Sequence, residues 1–258
     1  MRGEGTTMKP NQYDNEEFFQ EYAKMSRSKQ GLDGAGEWYR FKQLLPSLED
    51  KEILDLGCGY GWHSKYMVEQ GARRVVGIDA SRKMIEVARK HNSDAKIEYR
   101  IGRIEEYEYP KAQWDLVISN LVLHYISNLE KIYDLVYRTL KPGGVFVFNI
   151  EHPTFTAGVH QEWIYGEDGT ALYWPVDDYF YPGERLTNFL GYEIRKHHHT
   201  LTQILMGLIG SGFEIQAIEE VQPSKEMMNI PGMEEEMRRP MMLLVRAKKE
   251  MGERRCGK

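Results

Sequence analysis

Apolar and polar positions along this 258-residue chain fall into two regimes. Between about residues 52 and 150, short apolar runs alternate with segments of helical period. Ile53–Leu56, Val75–Ile78, Ala95–Ile101, Trp114–Asn120 and Val145–Ile150 read as strands. The intervening segments predict helices over about 60–70, stopped by Gly71, over 81–91, capped by Ser81, and over 128–140. A turn at Lys141-Pro142-Gly143-Gly144 separates the last helix from the fifth strand. From about Pro153 to Lys196 the alternation stops and no period replaces it, although ten aromatics, from Phe155 through Trp163 and Trp174 to Tyr192, crowd the segment. Regular pattern then returns: a helix over 200–210, a strand over 214–221, a polar Met-rich excursion over 223–237 and a last strand over 241–248.

At the front of the chain, Tyr13, Phe18, Phe19, Tyr22 and Met25 recur near helical spacing behind Asp14 or Asn15, either of which is a suitable N-cap. This aromatic face packs on the domain edge or covers a site. Ser26-Arg27-Ser28 leads into a glycine-rich stretch over 31–36, expected to be a flexible loop, and a second helix runs over 37–45 until Pro46. Residues 1–12 are expected to be a disordered lead-in and those past 250 frayed.

The chemistry gathers at Ile53-Leu54-Asp55-Leu56-Gly57-Cys58-Gly59-Tyr60-Gly61. A buried strand ends in an acid, turns sharply through three glycines and enters a helix. Such a turn lets a ligand approach the backbone without a Cβ in the way, and the helix start offers free N–H groups to an anion. A dinucleotide fingerprint wants a glycine or alanine three residues after the second glycine. That position is Trp62, which argues against an NAD-dependent oxidoreductase. About twenty residues on, Asp79 ends a second strand, where a carboxylate suits two ribose hydroxyls. Together the two marks predict a nucleoside-type ligand; the plainer alternative is a strand–turn–helix with a degenerate site.

D-x-G-x-G-x-G from Asp55 to Gly61, the acid at Asp79, K-P-G-G before an apolar strand and Gly212-Phe213 before the sixth strand resemble the class I methyltransferases that use S-adenosylmethionine. The blocks Gly31–Trp38, Ile150–Pro153, Trp174–Tyr179 and Arg238–Leu244 are similar to one bacterial group within the type 11-like members. The resemblance implies an α/β, Rossmann-like, doubly wound sheet of seven strands, mostly parallel with the last antiparallel. It implies S-adenosyl-L-methionine as methyl donor, S-adenosyl-L-homocysteine as product, and no particular acceptor. Residues 47–152 and 197–250 would form the core, 1–46 an N-terminal helical lid and 153–196 an inserted aromatic cap over the acceptor. Gly57, Cys58, Gly59 and Gly61 would shape the turn under the methionine part, ordered by Asp55. Asp79 would hold the ribose, next to Ala80 and Met84. In this superfamily an acid after the third strand usually takes the adenine amino group; here Arg103 stands there, so Ile104 or Glu105 would read adenine. Asn120, Leu121 and His124 follow the fourth strand. Tyr22 and Arg27 would reach the cofactor from the lid, Arg27 meeting the cofactor's carboxylate.

Composition narrows the class. With 41% hydrophobic and 28% charged residues this is an ordinary globular chain, and a net charge of −5 without a basic run disfavours nucleic acid as partner. Two cysteines, Cys58 and Cys256, predict no disulfide framework and a reducing, cytoplasmic compartment. No apolar run is long enough to span a membrane, and residues 1–10 have no signal-peptide core.

Methyl transfer from a sulfonium is an in-line displacement, so much of the protein's task is positioning. An acceptor that starts protonated also needs a base. His152, ending the fifth strand, is the first candidate and His198 the second; His124 is better read as packing beside the cofactor. Of His197, His198 and His199, one is expected to face inward and two to be solvated, with no metal site. A small-molecule acceptor is the leading expectation; RNA, protein or mere cofactor binding are the alternatives.

Overall fold

The computed structural model describes residues 11–158 and 160–251. Expectations for residues 1–10, Cys256 and the tail past 251 lie outside the described residues. The N-terminal segment carries α1 (Glu16–Ala23), α2 (Ser26–Gln30) and α3 (Trp38–Leu44). The central region alternates β1 (Glu52–Leu56), α4 (Trp62–Glu69), β2 (Arg74–Asp79), α5 (Arg82–His91), β3 (Ile97–Ile101), β4 (Trp114–Asn120), α6 (Leu129–Thr139) and β5 (Leu140–Glu151). Next come α7 (Pro153–Thr156) and two hairpins, β6 (Ile164–Tyr165) with β7 (Ala171–Tyr173) and β8 (Gly183–Phe189) with β9 (Tyr192–His198). The chain closes with α8 (Leu201–Ser211), β10 (Phe213–Glu220), α9 (Met233–Glu236) and β11 (Met242–Lys249).

Seven strands form one sheet in the order β10-β11-β5-β4-β1-β2-β3. Strands β5, β4, β1, β2 and β3 are mutually parallel, and β11 runs antiparallel to both β5 and β10. Successive residues point to opposite faces, so each strand feeds two cores. Leu54, Val76, Val117, Phe146 and Phe148 pack under α6 and α8. Ile53, Val75, Leu116, Val145 and Val147 pack with Phe41 of α3 and Met67 of α4 on the other side. Fully burying such side chains contributes roughly 1.5–3 kcal/mol each, which explains why these strands are apolar on both faces. The chain leaves β1 toward β2 on one side and β4 pairs on the other. Open α/β sheets place their ligands at this reversal, outside the strand carboxyl ends.

Three expectations are corrected. Residues 26–34 are α2 followed by a 3₁₀ turn over Gly31–Gly34, not a loose loop. Ser28 Oγ donates to Tyr22 O at 2.7 Å, and Gly31 lies so close to the Trp62 indole that a Cβ would stand 2.9 Å from the ring. Lys141–Gly144 does not interrupt the strand: β5 begins at Leu140, paired with Trp114, and the register slips between Trp114 and Leu116, so the extra residues form a bulge. Two of the three adjacent histidines are buried: His198 shares the covered face of β9 with Ile194 and Lys196, and His199, past the end of β9, has its Nε2 on Ile126 O at 2.8 Å.

Among the described residues no helix is long and apolar enough to cross a membrane.

Candidate active site

The turn after β1 is built for close approach. Gly57, Gly59 and Gly61 have φ of +77°, +52° and +79°. A Cβ on Gly57 would sit 2.1 Å from Val122 Cγ2 and one on Gly61 2.3 Å from the Tyr99 hydroxyl, whereas one on Gly59 would meet nothing within 4 Å. Gly57 and Gly61 are therefore glycines for packing, and Gly59 leaves open space above the turn. Asp79 Oδ2 accepts from Gly59 N at 3.0 Å and its Oδ1 from Ser81 N at 2.8 Å, so the end of β2 braces the turn. Burial raises the Asp79 carboxyl to about 6 against these two N–H groups. Asp55 sits beneath the turn with its Oδ2 2.7 Å from Ser64 Oγ, and burial lifts it to about 7.

A cavity of about 830 Å³ opens above these strand ends. Of the residues expected at the cofactor, Tyr22, Arg27, Gly57, Cys58, Gly59, Asp79, Ala80, Met84, Arg103, Ile104, Asn120, Leu121 and His124 line it. Asp55 and Gly61 do not; they shape the turn from behind. Leu121 holds φ +56°, rare for a branched residue, with its N–H on Asn149 O at 2.9 Å, which bends the chain over the cavity directly after β4. Arg103 reaches Glu105 Oε1 at 2.9 Å.

The N-terminal segment forms one wall. Phe18 is fully buried and meets Tyr13 edge-on at 5.1 Å and Tyr192 at 5.5 Å between ring centroids, so α1 clasps the β8–β9 hairpin. Asp14 Oδ1 accepts from Ser81 Oγ at 2.7 Å and Lys83 N at 3.2 Å, pinning the segment to the start of α5. Arg27, expected to meet the cofactor carboxylate, has its guanidinium engaged within the protein. Its Nη1 and Nη2 form a fork to Glu37, both at 3.1 Å, and Asn120 Nδ2 adds a bond to Glu37 Oε1 at 3.1 Å. Burial works against charge on Glu37, but Arg27 and Asn120 hold its carboxyl below the ordinary value.

The two proposed bases are not brought to the cavity. His152 caps α7, its Nδ1 accepting from Thr154 N at 3.0 Å, and its Nε2 lies 3.0 Å from Glu220 Oε1. His198 is fully buried, with Nδ1 2.7 Å from Thr156 Oγ1 and Nε2 2.8 Å from Tyr179 O. His198 ties β9 to α7 and to Tyr179, and His152 caps α7 beside Glu220 of β10. The chain instead brings in residues that sequence reasoning missed. Glu151, which ends β5, and Lys196 of β9 line the cavity as a buried ion pair at 2.6 Å. Gln161 bridges them, donating to Glu151 Oε2 at 3.2 Å and accepting from Lys196 Nζ at 3.0 Å. His124 stands beside the pair, Nε2 3.9 Å from Glu151 Oε1, and burial lowers it to about 4, so its imidazole is neutral.

Comparison with known proteins extends this geometry. A methyltransferase-domain family model matches residues 54–148. The crystal structure of an S-adenosylmethionine-dependent methyltransferase from Mesorhizobium loti is 39% identical; the match covers 85% of this chain and 100% of that one, with a TM-score of 0.79. This chain belongs to the S-adenosylmethionine-dependent methyltransferases. A Listeria monocytogenes structure assigned to the same enzymes is 42% identical, covering 85% of this chain and 99% of that one at a TM-score of 0.81. A Haemophilus influenzae protein described as uncharacterized is 29% identical over 92% of this chain and 96% of its own. The methyltransferase therefore uses S-adenosylmethionine as donor, and none of these three names states an acceptor. Its cavity fits that donor. Gly59 leaves a cradle that a Cβ would enter, Asp79 offers a carboxylate at a strand end, and the buried indole N–H of cavity-lining Trp62 has no hydrogen-bond partner among the described residues.

Proposed function

We propose that this methyltransferase modifies a small-molecule acceptor enclosed between the N-terminal helices and the β8–β9 hairpin. The observation that carries the reading is the cover itself: Tyr13, Phe189 and Ile194 come from segments outside the sheet and line the same cavity as Gly57 and Asp79. A volume of about 830 Å³ lies within the range of small-molecule pockets, and a roofed pocket excludes water and polymer alike. Residues 1–46 then act as a lid, 153–196 as the acceptor cap, and 47–152 with 197–250 as the core.

S-adenosylmethionine supplies a sulfonium-activated methyl group. Gly57, Cys58 and Gly59 support its methionine part, Asp79 its ribose, and Arg103 with Ile104 its adenine. Asn120, Leu121 and His124 form the wall between donor and acceptor. The chain's contribution is alignment: the braced turn and the bent Leu121 fix one partner, the cap fixes the other, and displacement proceeds in line. A cytoplasmic location belongs to the same proposal.

The test is transfer from methyl-labelled S-adenosylmethionine into a cell extract split into small-molecule, RNA and protein fractions, with Asp79→Ala as control. Label in the small-molecule fraction, lost in the variant, is the expected result. Label confined to RNA or protein would replace the reading.

A further inference from the structure

The Glu151–Lys196 pair calls for an explanation that stability does not supply. Lys196 is 3% exposed and Glu151 8% exposed. Desolvating two such ions costs several kcal/mol each, and a buried pair seldom stabilises more than apolar residues of the same volume. The pair nevertheless faces a cavity. An ammonium has three N–H donors. Lys196 spends one on Glu151 Oε1 at 2.6 Å and one on Gln161 Oε1 at 3.0 Å. The third has no acceptor among the described residues. Nζ lies 5.6 Å from the ring centroid of Phe189 and 5.9 Å from that of Phe155, which favour a cation and accept no ordinary hydrogen bond.

We infer that the acceptor presents a hydroxyl, carried on a planar apolar body, to the Glu151–Lys196 pair, and is methylated on that oxygen. This rests on the small-molecule reading above. A hydroxyl accepts from the free Lys196 donor and donates to Glu151, so it satisfies both ions of a pair that is neutral overall. A carboxylate has no proton to give Glu151, and an ammonium has no lone pair to accept from Lys196. Tyr13, Tyr125, Ile126, Phe189 and Ile194 line the same cavity as the pair, and the Phe189 ring stands beside Lys196 itself, which suits a phenol or enol rather than a sugar.

The chemistry balances with these residues alone. The acceptor oxygen forms the bond to the methyl carbon with a lone pair, while the electrons of the breaking S–C bond stay on sulfur. As the O–C bond forms, the hydroxyl becomes strongly acidic, so a weak base suffices. Its proton moves to Glu151 as the oxygen attacks and passes from there to solvent, while Lys196 stabilises the partial negative charge left on the oxygen as that proton departs.

Removing one ion strands the other, so the test uses the double variant Glu151→Gln/Lys196→Met beside Lys196→Met alone. Melting temperature and S-adenosylmethionine affinity establish that the double variant is folded and loads its donor. The probe is 4-nitrophenol, whose anion has its own visible absorption band. The wild-type enzyme, loaded with S-adenosylhomocysteine, is expected to bind it and to raise the anion fraction, with affinity falling roughly tenfold to hundredfold in the double variant, the scale of a hydrogen bond to a charged group. No binding to wild type, or equal binding to a folded double variant, would overturn the inference. The labelled extract separates this from the broader reading. A small-molecule product that resists alkali and is not retained as an amine agrees with an ether. An alkali-labile ester or a methylamine would overturn the hydroxyl while leaving small-molecule transfer standing.

Discussion

The phenol oxygens of Tyr13 and Tyr125 lie 2.9 Å apart, joining the N-terminal segment to the loop after β4 across the cavity. Burial raises both phenols, Tyr13 well above its ordinary value, so both are protonated and one donates to the other. Together with Asp14 on Ser81 and Lys83, this bond ties the segment to the strand ends. Asp14→Ala removes two acceptor bonds at the rim of the cofactor side. It is expected to weaken S-adenosylmethionine binding by roughly 1–3 kcal/mol and to raise amide hydrogen exchange in α1 while leaving that of β1 and β4 unchanged. Calorimetry with exchange mass spectrometry checks both; unchanged affinity with a loosened α1 would show that the segment does not cover the donor.

Asp79 gives the second prediction. Asp79→Ala should weaken S-adenosylmethionine by roughly 1.5–3 kcal/mol, the scale of hydrogen bonds to a charged group. The pH dependence has two opposite signs. In the free protein the carboxyls of Asp55 and Asp79 sit at about 7 and about 6, above their ordinary value of 3.8. The folded state therefore holds more protons than the unfolded one between about 4 and 7, and stability falls as pH rises through that window. Ribose hydroxyls donate to the ionised Asp79, so donor affinity should instead fall as pH drops below about 6. Titration calorimetry from pH 5 to 8 reads the second effect, which Asp79→Ala should flatten.

The three glycines of the turn should separate in their roles. Gly57→Ala forces a Cβ to within 2.1 Å of Val122 Cγ2 at a φ of +77°, so it should lower the melting temperature and the yield of folded protein. Gly59→Ala meets no neighbour within 4 Å and bears only the left-handed backbone cost, roughly 1–2 kcal/mol. Its Cβ enters the open space, so donor affinity should fall further than stability does. Melting and binding measured on both variants decide this; equal losses of both kinds would mean that the space above Gly59 is not the donor's.

What the sequence made legible was local. Asp55, the glycine turn and Asp79 are read from spacing within about 25 residues, because strand, turn and helix start are consecutive and each fixes the next. Strand identities followed for the same reason, and all seven sheet strands lie within a few residues of the apolar runs that predict them. The Glu151–Lys196 pair was not legible. Its partners stand 45 residues apart, and the second sits in a segment whose aromatic content hides its strand period. For His197 and His198 the placement is a matter of register. Pairing of Gly183 with His198 and Glu184 with His197 in the hairpin sets which ring points inward, and one residue of slip would exchange them. Arg27, expected to meet the cofactor carboxylate, lines the cavity, but its partner Glu37 lies ten residues on, and only the folded segment brings the fork together.

The structure therefore predicts an uneventful outcome where the sequence pointed to catalysis. His152→Asn keeps an N-cap that can accept from Thr154 N, since asparagine is among the best cap residues. It loses the contact with Glu220, a partner 61% exposed in its side chain, and exposed pairs contribute roughly 0–1 kcal/mol. Stability should fall slightly, and neither turnover nor its pH profile should change. The Glu151→Gln/Lys196→Met variant, with donor binding intact, should lose turnover. Measuring both variants on the product recovered from the labelled extract weighs the two candidate sites directly. A large loss in His152→Asn, with donor affinity and fold preserved, would return that histidine to the reaction and require a motion of α7 that brings its ring into the cavity.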